Sequence, residues 1–430
     1  MSIIITLLST ALLTGLIYRL SFFRLEALPR WVSPLLFIVK LSFGFALWAV
    51  YTFYYTDRST ADIYKFYDDA HYIHQAWQED KSAFAGLMLG AEDSSLSRYT
   101  DPMKNWERNF NRSVPFNENR MMIRLNGLMM VVAGENIYMT VLFFCLLSFL
   151  GCILLLKVFQ QFISHEKKAW VLLTILFPSF LFWTSSGLKE SVIMLGIGML
   201  LYGFLFLKER GIVAWVFFGI GLWVLLTIKY FLLLCFLPSL LGYYLFYQKQ
   251  DLKTVVIKYA GVMVLSLLII AAIAPIDKRV DFARIVSKKQ KHAIYEAHYM
   301  KVGSYSEVPV VAPTILSVLS GLPIGLWNAV MKPYLWQSRN PMILMSAVEN
   351  LLLLLLLIVA LVYRDKHSPL DYNLLLFLLL SAMLYYALIG LLTPVLGNLV
   401  RYRVVMLPML IYVALQIRSP NTVWGTKRNL

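Results

Sequence analysis

Long apolar runs, separated by short basic connections, decide what this chain can fold into. Crossing the hydrocarbon core of a bilayer takes about 20 mainly apolar residues. Eleven runs approach that length: 3–20, 32–54, 138–159, 169–183, 192–207, 212–226, 231–247, 255–274, 342–363, 373–391 and 404–416. Several are short and must tilt, thin the bilayer or recruit flanking polar residues. A twelfth stretch, 313–334, carries Pro, Gly, Ser and Asn and reads as a span or as a re-entrant or interfacial helix. The expected fold is all-α: one polytopic transmembrane helix bundle over 1–430 with about 11–12 spans.

Lys and Arg in short connections set the orientation. Arg19, Arg24 and Arg30 follow the first run, and Lys157, Lys167 and Lys168 the third. Lys208 and Arg210 follow the fifth, Lys249 and Lys253 the seventh, Arg364 and Lys366 the ninth. Arg418, Lys427 and Arg428 form the tail. Every second connection is basic, which puts the N-terminus outside and the C-terminus in the cytoplasm, provided that 313–334 does not cross. Two long polar segments then fall on the outer face. The first external loop, 55–137, follows the second span and includes a helix over 62–78, an irregular stretch over 90–115 and a Met-rich amphipathic helix over 120–133. The second external segment is 277–341. Long polar insertions of this kind carry function more often than scaffold.

Composition removes other classes. Charged residues are 15% of the chain and hydrophobic ones 59%, where a soluble domain carries about 25% charged. A formal net charge of +15 would point to nucleic acid in a soluble protein. In this chain cytoplasmic basic loops and an anionic lipid-linked substrate account for it, and no nucleic-acid partner is expected. Cys145, Cys152 and Cys235 lie inside apolar runs without zinc or redox spacing. The run 3–20 lacks the basic start and small-residue cleavage site of a signal peptide, so it is read as a retained helix. There is no P-loop, GxGxxG, GxSxG or kinase set. Glu349 is the main ionisable residue within the runs, which argues against an ion-coupled transporter.

The first external loop offers Asp62-Ile-Tyr-Lys-Phe-Tyr-Asp68-Asp69-Ala-His71-Tyr-Ile-His74. Asp68 and Asp69 point about 100° apart on a helix, so one can face water while the other faces the membrane. Either carboxylate could take a proton from an acceptor hydroxyl; a solvated helix start would need no such role. His71 and His74 share a helical face with the acids, a loose pattern for a divalent metal.

Cations on the outer face depart from the positive-inside trend and need another reason. Lys189 follows the polar break Trp183-Thr-Ser-Ser-Gly-Leu, where exposed backbone N–H groups and an ammonium suit a phosphate. Lys229 sits almost without a loop between two runs, a placement that makes function the default hypothesis. Lys332 is similar. Arg401 and Arg403, at the last helix entrance, can clamp phosphate oxygens with forked donors. Residues 278–301 add Arg279, Arg284, Lys288, Lys289 and Lys291, a run suited to anionic headgroups or a lipid diphosphate.

Taken together, the pattern resembles the GT-C superfamily of polyprenyl-phosphate-sugar-dependent glycosyltransferases. Tyr67-Asp68-Asp69-Ala70-His71-Tyr72 looks like that family's external-loop acidic motif, and Arg401-Tyr-Arg403-Val-Val-Met-Leu-Pro408 is similar to its late arginine-rich helix entrance. Pro178-Ser-Phe-Leu-Phe-Trp183-Thr-Ser-Ser-Gly187-Leu-Lys189-Glu190 looks like an element of bacterial membrane proteins of polysaccharide gene clusters. The layout match covers 32–416, with the large loop after the second span where the family places it after the first. The resemblance implies a multi-pass enzyme of the bacterial inner membrane with its active face periplasmic or extracellular. It would be an inverting transferase moving a sugar from a polyprenyl-phosphate donor to a lipid-linked or glycan acceptor. In that reading Asp68 or Asp69 is catalytic, and Lys189, Lys229, Lys332, Arg401 and Arg403 hold the lipid phosphate. No cofactor is required, and a divalent metal on His71 and His74 is optional. The rival readings are a polysaccharide polymerase or ligase acting on lipid diphosphate-linked chains, and a non-catalytic lipid or polysaccharide transporter.

Overall fold

The computed structural model describes residues 2–55, 57–58, 61–91, 93–106, 118–245, 251–274, 276, 281–338, 341–364 and 370–418. Among the described residues there is no strand. Extended pairing is confined to two isolated bridges, Tyr305 with Val395 and Arg364 with Arg418. We number the main helices α1 (Ser2–Arg19), α2 (Val32–Ala49), α3 (Asp62–Glu79), α4 (Lys81–Leu89), α5 (Glu118–Ala133), α6 (Ile137–Gln161), α7 (Lys189–Leu205) and α8 (Ile212–Leu245). There follow α9 (Leu252–Ile273), α10 (Phe282–Tyr299), α11 (Ile315–Met331), α12 (Pro341–Val362), α13 (Tyr372–Leu392), α14 (Leu396–Arg403) and α15 (Leu407–Ile417).

Eight helices among the described residues are long and apolar enough to cross a membrane: α1, α2 with the π turn that extends it to Tyr54, α6, α8, α9, α12, α13 and the continuous stretch Leu396–Ile417. The chain is therefore a multi-pass, all-helical membrane protein. The count differs from eleven for local reasons. The runs 212–226 and 231–247 are two helical segments that meet at a kink at Lys229, whose backbone is not helical (φ −153, ψ 69); α8 denotes the pair, and Ile212–Leu245 counts as one candidate span. The run 169–183 is not one helix but a 3-10 stretch, His165–Thr174, followed by the short helix Pro178–Trp183. Phe177 precedes proline and is pushed out of the helical region, and Pro178 then starts the next helix. The run 192–207 is α7, of 17 residues, and 313–334 holds the 17-residue apolar helix α11.

The chain divides into two compact units. The first holds residues 1–162 and 181–230. Within it α2 packs antiparallel to α6: Phe37 meets Phe149 and Trp48 meets Tyr138. α6 and α7 pack parallel. Gly187 lies against Phe144, Gly151 against Met194 and Leu195, and Phe162 against Phe206. Backbones touch in this pair, because a Cβ on Gly198 would stand 2.2 Å from the Gly151 carbonyl oxygen. Such small-residue contacts are how helices associate where lipid removes the hydrophobic driving force. The following helix α8 runs antiparallel to α7, with Gly203 against Ala214 and Phe218, and Gly221 against Leu200.

Between α2 and α6, the long polar segment 55–137 contains α3, α4 and α5. α3 covers the stretch expected to be helical and extends it to Glu79. α4 was not expected. Its signals are local: the Asp80 carboxylate accepts from Ser82 N and Ala83 N at its start, and Gly90 ends it in the left-handed region (φ 87). α5 buries Met122, Ile123, Met129 and Met130. Its Gly127 lets α3 approach until a Cβ would stand 2.7 Å from Ile73. The expected irregular stretch 90–115 contains one 3-10 turn, Ser94–Leu96, and one helical turn, Ser97–Thr100; residues 107–115 lie outside the described residues.

The second unit holds residues 163–180 and 231–430. Its tightest contact is α11 on α13, where a Cβ on Gly325 would stand 2.1 Å from the Ala387 carbonyl oxygen. Residues 304–306 pair with 394–396: Ser306 N donates to Pro394 O at 2.7 Å, and Leu396 N to Ser304 O at 3.0 Å. The polar segment before α11 is thereby tied to the approach to α14.

Candidate functional site

In the first unit, one end of the bundle gathers the N-terminal turns of α6 and α7, the end of α2 and the start of α3. Leu47, Ile63 and Leu188 form a buried cluster there, with Tyr51, Ile137, Phe182 and Trp183 packed against it. This cluster fixes the turn before α7 and so fixes Lys189. The Lys189 ammonium donates to Asn119 Oδ1 at 2.8 Å and pairs with Glu118 Oε2 at 3.4 Å, both at the start of α5, and it lies 5.5 Å from the Phe66 ring of α3. The α7–α8 register brings the break at Lys229 to the same end. Glu118 also lies within electrostatic range of the neighbouring Tyr230 hydroxyl.

Asp68 and Asp69 have different surroundings. Asp68 is exposed and grips Arg58 in a two-point pair, Nη2 to Oδ1 at 2.5 Å and Nε to Oδ2 at 2.9 Å. Arg58 in turn stacks on Tyr64 at 3.9 Å. Asp69 is buried, and both oxygens accept backbone amides: Oδ1 from Lys104 at 3.1 Å and Oδ2 from Asn105 at 2.6 Å. Burial raises the Asp69 pKa, and the two amides oppose that rise. Asp69 is thus the anchor of the loop 101–106, and Asp68 is the carboxylate turned outward. Replacing Asp69 with Ala should leave two partly buried loop amides without their acceptor, at about 1 kcal/mol. The amide protons of Lys104 and Asn105 should then exchange several-fold faster, as read by hydrogen-exchange mass spectrometry.

Both histidines turn to one carboxylate. His71 Nδ1 lies 2.7 Å from Glu135 Oε1, and His74 Nδ1 lies 3.5 Å from the same oxygen. Among the described residues no group of three or more His, Cys, Asp or Glu is arranged to hold a metal ion. Instead the arrangement ties α3 to the α5–α6 connection. The hydrogen bond from His71 holds the Glu135 carboxyl below its ordinary value of 4.5. A lowered acid pKa contributes stability that is fully present above that ordinary value and lost as pH falls through the lower folded value. Acidification below about pH 4.5 should therefore loosen α3 from this connection, and Glu135→Gln should abolish that pH dependence in a hydrogen-exchange titration.

The remaining candidates lie in the second unit. Arg403 is buried, and its Nη1 donates to the carbonyls of Ala329 at 3.2 Å and Lys332 at 2.7 Å, closing the C-terminal end of α11. Its own carbonyl accepts from the Tyr386 hydroxyl at 3.1 Å. Arg403 therefore has a structural task that a phosphate-clamp reading did not foresee. Arg401 is also buried, beside the Tyr402 ring. Lys332 donates to Ser306 Oγ at 2.7 Å, and partial burial lowers its pKa. Of the basic run, Lys278 and Arg279 lie outside the described residues, and the rest sits on α10.

Several residues with evident work were missed from sequence. Lys40, inside the second span, is fully buried and donates to Thr184 Oγ1 at 2.6 Å, holding the break before Lys189. A lone lysine in an apolar run was the available signal. Arg120 and Arg124, one turn apart on α5, flank the Trp106 ring at 5.3 and 5.2 Å. Glu349 in α12, singled out from sequence as an ionisable residue within a run but without a partner assigned, accepts from Ser179 N at 2.9 Å and Ser179 Oγ at 2.5 Å. No family model, curated protein or solved structure matches this chain.

Proposed function

We propose that the chain is a membrane glycosyltransferase of GT-C type that moves a sugar from a polyprenyl-phosphate donor to a lipid-linked or glycan acceptor at the non-cytoplasmic face of a bacterial inner membrane. The observation that carries this reading is the meeting, at one end of the first unit, of Lys189 on the first turn of α7 with the external-loop helices α3 and α5. A cation at a helix N-terminus suits a phosphate leaving group, and an outward carboxylate stands on the helix beside it.

In the transfer, the acceptor hydroxyl oxygen attacks the anomeric carbon as the bond from that carbon to the phosphate oxygen breaks. The lipid phosphate leaves with the electron pair of that bond. Asp68 takes the hydroxyl proton, with Arg58 fixing its orientation. Asp69 shapes the loop and does not touch the reacting atoms. Lys189 and Lys229 neutralise charge as it grows on the phosphate. A phosphate already attached to the donor makes nucleotide binding unnecessary, in keeping with the missing nucleotide motifs.

The test is transfer by the purified protein in proteoliposomes supplied with a polyprenyl-phosphate-linked radiolabelled sugar and a membrane glycan extract. Label entering the acceptor, and lost with Lys189→Met, supports the reading. Transfer only from a lipid diphosphate-linked oligosaccharide would replace it with the polymerase or ligase reading. Movement of lipid across the bilayer with no bond formed would replace it with the transporter reading.

A further inference from the structure

The helix α10 lies at the ends of apolar helices. Gln290, fully buried, donates through Nε2 to Leu391 O in the last turn of α13 and to Pro309 O, both at 2.8 Å, and accepts from Val311 N through Oε1 at 2.8 Å. Phe282 packs against Phe231, where the second half of α8 begins, and Lys289 Nζ lies 4.4 Å from the same ring. Ala283, Val286, Ser287 and Ala297 complete the face turned to the protein. Two candidate spans thus place this helix at the level where hydrocarbon gives way to headgroups.

Its outward face is a single stripe. Arg284, Lys288, Lys291, Tyr295 and Tyr299 recur at intervals of three or four and fall within about 80° of arc at 100° per residue. All five are exposed, the tyrosines at 67% and 77%, with their rings stacked 6.1 Å apart at 15°. Arg284 lies in the first turn, where the macrodipole disfavours a cation, and Lys288 and Lys291 follow along the stripe. Asp281, at the cap, meets Arg284 at 3.5 Å. Glu296 pairs with His292 at 3.6 Å to one side of the stripe. Cations followed by amphipathic rings complement a negatively charged membrane surface.

We propose that the outer stripe of α10 docks on the phosphate headgroups of anionic phospholipids. This is independent of the transferase reading. The test uses the full chain purified in neutral detergent, with phosphatidylglycerol or phosphatidylcholine added, and counts the lipids retained by native mass spectrometry. The expected result is a preference for phosphatidylglycerol of about ten-fold or more. It should fall towards one in the triple variant R284Q/K288Q/K291Q and in native protein at 0.5 M salt, where screening is short-ranged (roughly 4 Å). These side chains are exposed, so the variant should melt as the native protein does, and the salt arm needs no variant at all. Equal retention of the two lipids, or a preference unchanged in both arms, would overturn the proposal. So would inorganic phosphate displacing phosphatidylglycerol at equal concentration, which would mark a free-anion site. Self-association abolished by the triple variant, with lipid preference intact, would overturn it in favour of a second copy of this chain.

Discussion

Asp68→Asn should leave a folded protein whose sugar transfer is about 10²- to 10⁴-fold slower, the usual contribution of a positioned general base. The prediction rests on the contrast with its neighbour. Asp68 points outward, paired with Arg58. Asp69 faces inward and holds two loop amides. Substituting Asp68 disturbs no buried contact, so thermal melting and amide exchange in the loop should stay as in the native protein. The loss should appear in kcat with KM little changed, because a proton acceptor acts in the transition state and not in binding. Arg58→Gln should produce a smaller fall, since it removes the group that orients the carboxylate. Native turnover by Asp68→Asn would remove Asp68 from the chemistry. The double alanine at Asp68 and Asp69 separates the rivals less sharply, because the second substitution also releases the loop.

The second large effect is structural. Arg403→Leu should destabilise the protein by about 2–4 kcal/mol, measured as a shift in its unfolding transition in mixed micelles. The guanidinium is the donor to two carbonyls, those of Ala329 and Lys332, at the end of a helix in a buried setting. Each acceptor left bare costs about 1–3 kcal/mol. Arg403→Lys keeps the charge on a shorter side chain without the planar guanidinium that aims Nη1 at the two carbonyls, and should recover part of the loss. A residue used only to clamp a phosphate would behave differently: the leucine variant would unfold normally and lose only substrate binding.

The reach of the sequence can be judged from particular residues. Spans such as α6 and α13 were plain because their apolar runs are long and uninterrupted. The helix at Asp62 and the amphipathic one over Glu118–Ala133 were visible in their periodicity. Where polar atoms act on the backbone, reading failed. Pro178 and the 3-10 stretch before it break a run that hydropathy alone treats as continuous. The break at Lys229, by contrast, was legible, because its charge separates the runs 212–226 and 231–247 where the backbone leaves the helix. Arg403 was identified as functional by charge, but its use as a cap on a helix distant in sequence depends on long-range packing. Asp69 shows the same limit, since nothing in its neighbourhood reveals that the partners are amides 35 and 36 residues ahead.

The parallel packing of α6 and α7 bears on how the protein is made. Helices emerge from the ribosome one at a time, and a parallel partner can arrive only after the chain between Phe162 and Leu188 has run back the length of the pair. Until then the Gly151 face of α6 has no α7 backbone to pack against. Closing the pair is thus a separate step from forming either helix, and a bulky residue at Gly198 would meet the Gly151 backbone and hold the two helices apart.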